Sequence, residues 1–246
     1  MKKYEFTEEI IEWEGHMLHR IRAVRSFGDV QKGDLGGYIE YEENLSHEKN
    51  AWVSDSARVL NNAIVKHNAK VSDNAIVSGN AIVLGNARVS GCAKVSGHAE
   101  VLDNAEVLGY AKVSGHAEVL GNAIVLGNAI VSGNAIVLGN ARVLGKVLGN
   151  TLLLGNECVL DNAIISKLSD VLTIGPCGSR NAFTTFFHDK DQEISVSCGC
   201  FSGKIDEFEK KVNETYGDSK YGREYKAAIE LAKIHIMERN LIESAN

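Results

Sequence analysis

The chain has 246 residues, 44% hydrophobic and 24% charged, which is ordinary for a globular protein and excludes a disordered, collagen-like or membrane-spanning chain. With 26 Lys and Arg against 32 Asp and Glu, the formal charge is −6, and nothing in that balance favours a nucleic-acid polymer as partner. Twenty-four Gly accompany a single Pro, where average usage of about 5% would give about a dozen prolines, so a regular repeat with tight corners is expected.

Residues 1–46 read as a β-rich cap, with strand patterns over 3–7, over 17–24 where Leu18, Ile21 and Val24 recur, and over 33–40. The start MKKYEFTEEIIEWEG has no apolar core of the secretory kind, and no apolar run approaches the roughly 20 residues of a spanning helix. Five cysteines (Cys92, Cys158, Cys177, Cys198 and Cys200) are odd in number and unevenly spaced. A reduced, cytoplasmic protein follows, in a bacterium or an infected host cell, with no membrane partner.

From residue 47 to 166 the chain is a repeat. Val stands at sixteen positions six apart, from Val53 to Val143, and Ala follows the first fifteen of them four residues later, from Ala57 to Ala141. Two residues after each Val comes Gly, except at Asp55, Asn61, His67, Asp73 and Asp103, and all of these types tolerate positive φ. A period of six walks around an α-helix, and two-residue turns need longer strands to make hairpins. What remains is a coil of three hexads whose Val and Ala point inward and stack on the next coil at about 4.8 Å. After Val143 the next aliphatic residue is Val147, two residues early, and the columns are expected to shift there.

Val-x-Gly-Asn-Ala-x, iterated over residues 47–165, resembles the hexapeptide-repeat superfamily of left-handed parallel β-helices. The hand is implied by that resemblance. So is a homotrimer, because members of the superfamily pack three prisms side by side. The displaced glycine and the run Gly33-Asp34-Leu35-Gly36-Gly37-Tyr38-Ile39-Glu40 resemble poorly characterised bacterial and prophage members more than the acyltransferases. A solenoid's first coil is an open strand edge, which residues 1–46 would cover.

One face of the prism is greasy. Around Val65, Val83, Val101, Val119 and Val137 stand Ile64, Ile82, Leu84, Leu102, Leu120, Ile136 and Leu138, whereas the face of Val59, Val77, Val95, Val113 and Val131 has only Leu60, Ile76 and Ile130. Such a stripe is expected to be hidden, either against further copies of the chain or beneath a C-terminal segment folded back over it. At the corners, Asn68, Asn86, Asn104, Asn122 and Asn140 should form an amide ladder, and Asn62, Asn80, His98, His116 and Asn134 a second column bordering the apolar face.

The resemblance implies, as an alternative, an acyltransferase using acyl-coenzyme A, with His98 or His116 as general base in an inter-subunit cleft. Against it, residues 53–143 carry no insertion to wall a pocket, so catalysis is not the leading expectation, and no cofactor is assigned.

Residues 167–246 read as a separate α+β module. Strand-like runs cover 181–187 and 193–197, and two helices follow. The first carries Ile205, Phe208, Val212 and Tyr216 and stops at Gly217; the second carries Tyr221, Tyr225, Ala228, Ile229, Ala232 and Ile236 after a cap at Asp218 or Ser219. The glycine-bearing strand ends, with Gly178, Ser179 and Arg180 on one and Gly199 and Gly203 on the other, would suit a small, nucleotide-like anion if they lie side by side near Thr184 and Thr185. Cys198 and Cys200, with Cys177 and His188, supply metal-ligand types, but a Cys-x-Cys pair in a strand points its thiols to opposite faces, and no metal is expected. The leading expectation is therefore an oligomeric binding or assembly protein of mainly β class; a further alternative is a structural spacer presenting the module.

Overall fold

The computed structural model describes residues 2–238. Strands β1 (Tyr4–Trp13) and β2 (His16–Ala23) form an antiparallel hairpin, and β3 (Leu35–Ile39) pairs antiparallel with β2. β3 also runs parallel to Arg58–Val59, and Leu45 bridges Val65, so residues 35–46 are already an incomplete first coil. The hexad period therefore starts upstream of the valines: Ile39 and Leu45, six apart, are fully buried in the inward slots, and two extra residues precede Val53.

The rod consists of twenty two-residue strands, from Trp52–Val53 to Ile164–Ile165, in three parallel sheets. The ten-stranded sheet contains β1–β3 and the Val59 column, and its outward residues Ser78, Ser96, Ser114 and Ser132 make it a serine face. The six-stranded sheet contains the Val65 column and is the leucine face. The seven-stranded sheet, the third face, contains the Val53 column. Every repeat Val and Ala inside is completely buried. Hiding a Val side chain contributes about 1.5–3 kcal/mol, so the stacked interior is the principal source of the rod's stability.

The corner residues two after each Val from Val53 to Val137 have positive φ, the five non-glycine ones included, whereas Gly145, after Val143, does not. Four of those five also cap the following coil. Asp73 Oδ2 accepts the Gly91 N–H at 2.8 Å, Asp103 Oδ2 the Gly121 N–H at 3.1 Å, Asp55 Oδ2 the Asp73 N–H at 3.2 Å and Asn61 Oδ1 the Gly79 N–H at 3.2 Å. These residues are therefore hydrogen-bonding corners as well as tolerated ones.

The missing two residues after Val143 do not disturb the stack. Val147 pairs with Val131 and Leu153 with Val137, each sixteen residues apart, and the columns continue to Ile165. The expected shift is absent because Gly145 takes the inward corner slot that Ala fills elsewhere: its carbonyl accepts the Ile130 N–H, and a Cβ there would collide with the Leu160 carbonyl. A shortened corner is tolerated because this slot holds no side chain.

The module packs on the last coil as a plug. Along the strand Ala182–His188 alternate side chains serve two interiors, Phe187 entering the rod core and Phe186 the module core. Thr185 Oγ1 accepts the Cys158 N–H at 3.2 Å, and Asn162 Nδ2 donates to Ser195 Oγ at 3.0 Å. Among the described residues the C-terminal segment sits on the last coil and does not fold back over the leucine face.

The module is a four-stranded antiparallel sheet, Val171–Cys177, Ala182–His188, Ile194–Cys198 and Phe201–Lys204, backed by α1 (Ile205–Tyr216) and α2 (Lys220–Lys233). Its two outer strands lie outside the strand-like runs 181–187 and 193–197, because Gly175-Pro176 and Ser202-Gly203 interrupt their patterns. The helix limits agree with the sequence: Gly217 ends α1 with φ 52°, and Ser219 caps α2 by accepting the Gly222 N–H. Tyr221, expected on the buried stripe, is exposed.

At the other end Lys3 is fully buried, its Nζ donating to the Ala51 carbonyl at 2.6 Å and lying 4.9 Å from the Phe27 ring. Burial, with a smaller push from Arg25, lowers its pKa to about 8. An unfolded Lys holds its proton to about pH 10, so across that interval the unfolded chain binds more protons and stability rises with pH. Between pH 7.5 and 10.5 the wild type is expected to gain about 2–3 kcal/mol relative to Lys3→Met in urea unfolding. A difference that does not change with pH contradicts the buried amine.

Candidate functional site

The corner columns form as the spacing predicts. Asn68, Asn86, Asn104, Asn122 and Asn140 each donate an amide to the next, at 2.9–3.3 Å, and the ladder runs on to Asn156. In the second column Asn62 donates to Asn80, and the His98 and His116 rings stack with centroids 4.8 Å apart and planes 10° apart. The only side-chain hydrogen bond to either imidazole among the described residues is from Asn80, 3.4 Å from His98 Nε2. A histidine general base is normally oriented by a second group, and among the described residues none bonds to His116.

Leu84, Leu102, Leu120 and Leu138 lie in vertical register, each backbone N–H bonded to the inward residue of the next coil at 2.8–2.9 Å. With Ile64, Ile82 and Ile136 they are half-buried, and among the described residues the N-terminal cap reaches this face only beside Ile64. The third face extends this apolar surface in a way the sequence reading missed. Its outward column reads Ser54, Ser72, Ser90 and then Leu108, Leu126, Leu144, Leu160, so it turns from hydroxyl to hydrocarbon partway down the rod. Tabulating all three faces, instead of the two extremes, would have found it.

In the module the two glycine-bearing strand ends do meet. Arg180 Nη1 lies 3.4 Å from Cys200 Sγ and across Gly199, beside a cavity of about 480 Å³ lined by Cys198, Phe201, Phe208, Lys211, Tyr216 and Tyr225. Ser179 Oγ is 2.7 Å from the Tyr216 hydroxyl. Cys200 raises the Arg180 pKa further, and burial followed by Cys198 holds the Tyr225 phenol above its usual range, so the rim is cationic and the wall neutral and aromatic.

Of the seven residues expected to hold an anion, Ser179, Arg180 and Gly199 are at this mouth. The other four have different roles, for identifiable reasons. The Gly178 N–H is occupied by Glu224 Oε2 at 2.8 Å, and Gly203 is a strand residue paired with Val196. Thr184 and Thr185 are buried, donating to Cys198 Sγ and accepting from Cys158 N respectively. At the start of α1 the Lys204 N–H is likewise taken, by Glu207 Oε2, whose carboxylate stands where an anion would approach. Lys211, Tyr216 and Tyr225 replace them; the helical spacing of Tyr216 and Tyr225 marked the buried stripes of two helices and gave no hint that they border a cavity, and Lys211 lies off those stripes. The Cys-x-Cys reading is also corrected. Cys200 sits in the turn beyond the strand, so both thiols border the same cavity, and among the described residues no three His, Cys, Asp or Glu side chains converge on a metal position.

Stacked parallel coils with ladders of like residues define a β-solenoid repeat protein. A family comparison matches the YdcK beta-solenoid repeat over residues 69–85, about one coil, and with the stacked hexads around it this places the chain in the hexapeptide-repeat β-helix superfamily. No curated protein matches the chain. Among the described residues no helix is long and apolar enough to cross a membrane.

Proposed function

We propose that the protein is a homotrimeric binding and assembly protein, in which the rods associate and each module holds a small anionic ligand. The observation that carries the reading is the pair of adjoining apolar surfaces, the leucine face and the C-terminal part of the third face, which the described residues leave uncovered. A closed ring of parallel rods that sets the lower leucine face against the C-terminal, apolar part of the third face on the next copy, and leaves the part beside the Asp29 loop open, satisfies both. The corner shared by the two faces then points to the axis, and it is the corner bearing the asparagine ladder, whose amides are already paired along the rod.

The module ligand is a phosphate- or carboxylate-bearing aromatic compound. Arg180 and Lys211 supply the charge and Phe201, Tyr216 and Tyr225 the stacking surface. A ligand bound only by the folded chain raises its melting temperature, so a thermal-shift panel of nucleotides and cyclic nucleotides is expected to contain a stabilising compound whose effect Arg180→Ala removes. A panel with no shift, or one unaffected by Arg180→Ala, contradicts the pocket assignment.

The same trimer supports a second reading. Its outer rim brings the His98–His116 corner near the opposite corner of the next copy, which at the same height carries Cys92 and Tyr110 of the partner subunit, and Tyr110 is 65% exposed in the single chain. An acyl-coenzyme A transferase would use that cleft. It gains the argument if acetyl-coenzyme A raises the melting temperature and His116→Ala abolishes transfer to an acceptor hydroxyl or amine.

A further inference from the structure

The upper third face carries a second trough, unrelated to the module, which ends where that column turns apolar at Leu108. Its floor is Ser54, Ser72 and Ser90, stacked at the rung spacing of about 4.8 Å. Along one side run Lys70 and Arg88, and over it stands the loop carrying Asp29 and Asp34. The enclosed volume is about 660 Å³, and it continues past Lys70 and Arg88 to the first amides of the asparagine ladder.

Three features point to the ligand. Ser72 and Ser90 Oγ have no hydrogen-bond partner among the described residues, and Arg88 makes no salt bridge there although its charge acts on Asp29, whereas Lys70 is held by Asp29 at 2.6 Å. Donors and acceptors are mixed: hydroxyls, amides and cations face Asp29, Asp34 and Glu106. A phosphate polymer has no donor to offer Asp29, Asp34 and Glu106, whereas sugar hydroxyls donate to such carboxylates and accept from the serines at once, and a uronate adds a carboxylate for Arg88. The groups also repeat at one fixed interval along a straight line, which suits a ligand that is itself linear and repeating, with a monomer length near the rung spacing.

We propose that this trough binds a linear acidic oligosaccharide along the rod axis, its hydroxyls on the serine and asparagine ladders and one carboxylate on Arg88. Leu35, half exposed at the rim, and Leu108, where the column turns apolar, offer the hydrocarbon surface that a pyranose ring face requires.

The test is isothermal titration of the full chain with linear hexasaccharides: oligomannuronate, oligogalacturonate and a glucuronate–N-acetylglucosamine oligomer as acidic probes, cellohexaose and chitohexaose as neutral ones, and inorganic polyphosphate as a plain polyanion. At least one acidic hexasaccharide is expected to bind more tightly than its disaccharide and than the neutral probes. Arg88→Ala should weaken it roughly tenfold or more, the loss of a charged hydrogen bond. Ser90→Leu, which extends to one more coil the residue the column has at Leu108, should block it without unfolding the rod. Lys94→Ala, on the open serine face, should leave it unchanged. No binding by any saccharide overturns the proposal, as does binding indifferent to Arg88→Ala and Ser90→Leu. Equal affinity for neutral probes overturns the carboxylate assignment, and tighter binding of polyphosphate through Arg88 overturns the sugar.

Discussion

Replacing Leu102 and Leu120 together by Glu is expected to yield a folded single chain in place of the assembly. Both side chains point outward from the leucine face, and their backbone N–H groups bond to Val119 and Val137 one coil on, so the Val and Ala interior is untouched. Each Glu would have to leave water beside Glu100 and Glu118, which already stand on that face, and an unpaired charge in an apolar contact costs several kcal/mol. The substitution repeats in every subunit of a closed ring, so the penalty recurs at each interface. Ser96→Glu with Ser114→Glu, on the serine face, is the matched control and should leave the assembly intact. Circular dichroism beside size-exclusion chromatography separates dissociation from unfolding. An unchanged elution volume for the leucine-face variant would remove that face from any interface.

The corners give the second large effect, and its order is not the order of side-chain size. Gly97 and Gly127 have the same φ, 70°, so Ala strains the backbone equally at both, by about 1–2 kcal/mol. At Gly97 a Cβ would lie 2.9 Å from the backbone N and O of Gly115 on the next coil; at Gly127, above the shortened corner, it meets nothing within 4 Å. Crowding of that kind adds about 1–3 kcal/mol, so Gly97→Ala should destabilise the rod about twice as much as Gly127→Ala. Gly97→Asp, though bulkier, should cost less than Gly97→Ala, because at Asp73 and Asp103 the carboxylate takes a corner N–H of the next coil. Urea midpoints for the three variants test the ranking; equal costs at Gly97 and Gly127 would mean that neighbouring coils do not press on the corners.

Much of the rod was legible because it is built from repetition. The inward valines, the positive-φ corners, the asparagine ladder and the stacked His98–His116 pair all follow from one period of six residues laid on a three-sided coil. The first coil was hidden because Ile39 and Leu45 use other aliphatic residues and a two-residue insertion follows them. The shortened corner misled for the opposite reason, since counting residues shows a deletion but not that Gly145 closes the gap. In the module the helices were readable from caps and spacing. The cavity was not, because it depends on which donors their neighbours have already taken: Glu224 occupies Gly178, and Thr184 and Thr185 are turned inward. The serine trough escaped notice because its wall is a loop from the N-terminal cap, and no periodicity indicates where that loop lies.

The account stands most directly on the mass of the purified protein in solution. Multi-angle light scattering of the full chain should give about 80 kDa, three chains of 26.6 kDa, across a range of concentrations. A mass of one chain at micromolar concentration would contradict it, because the aligned leucines would then face water on a stable monomer.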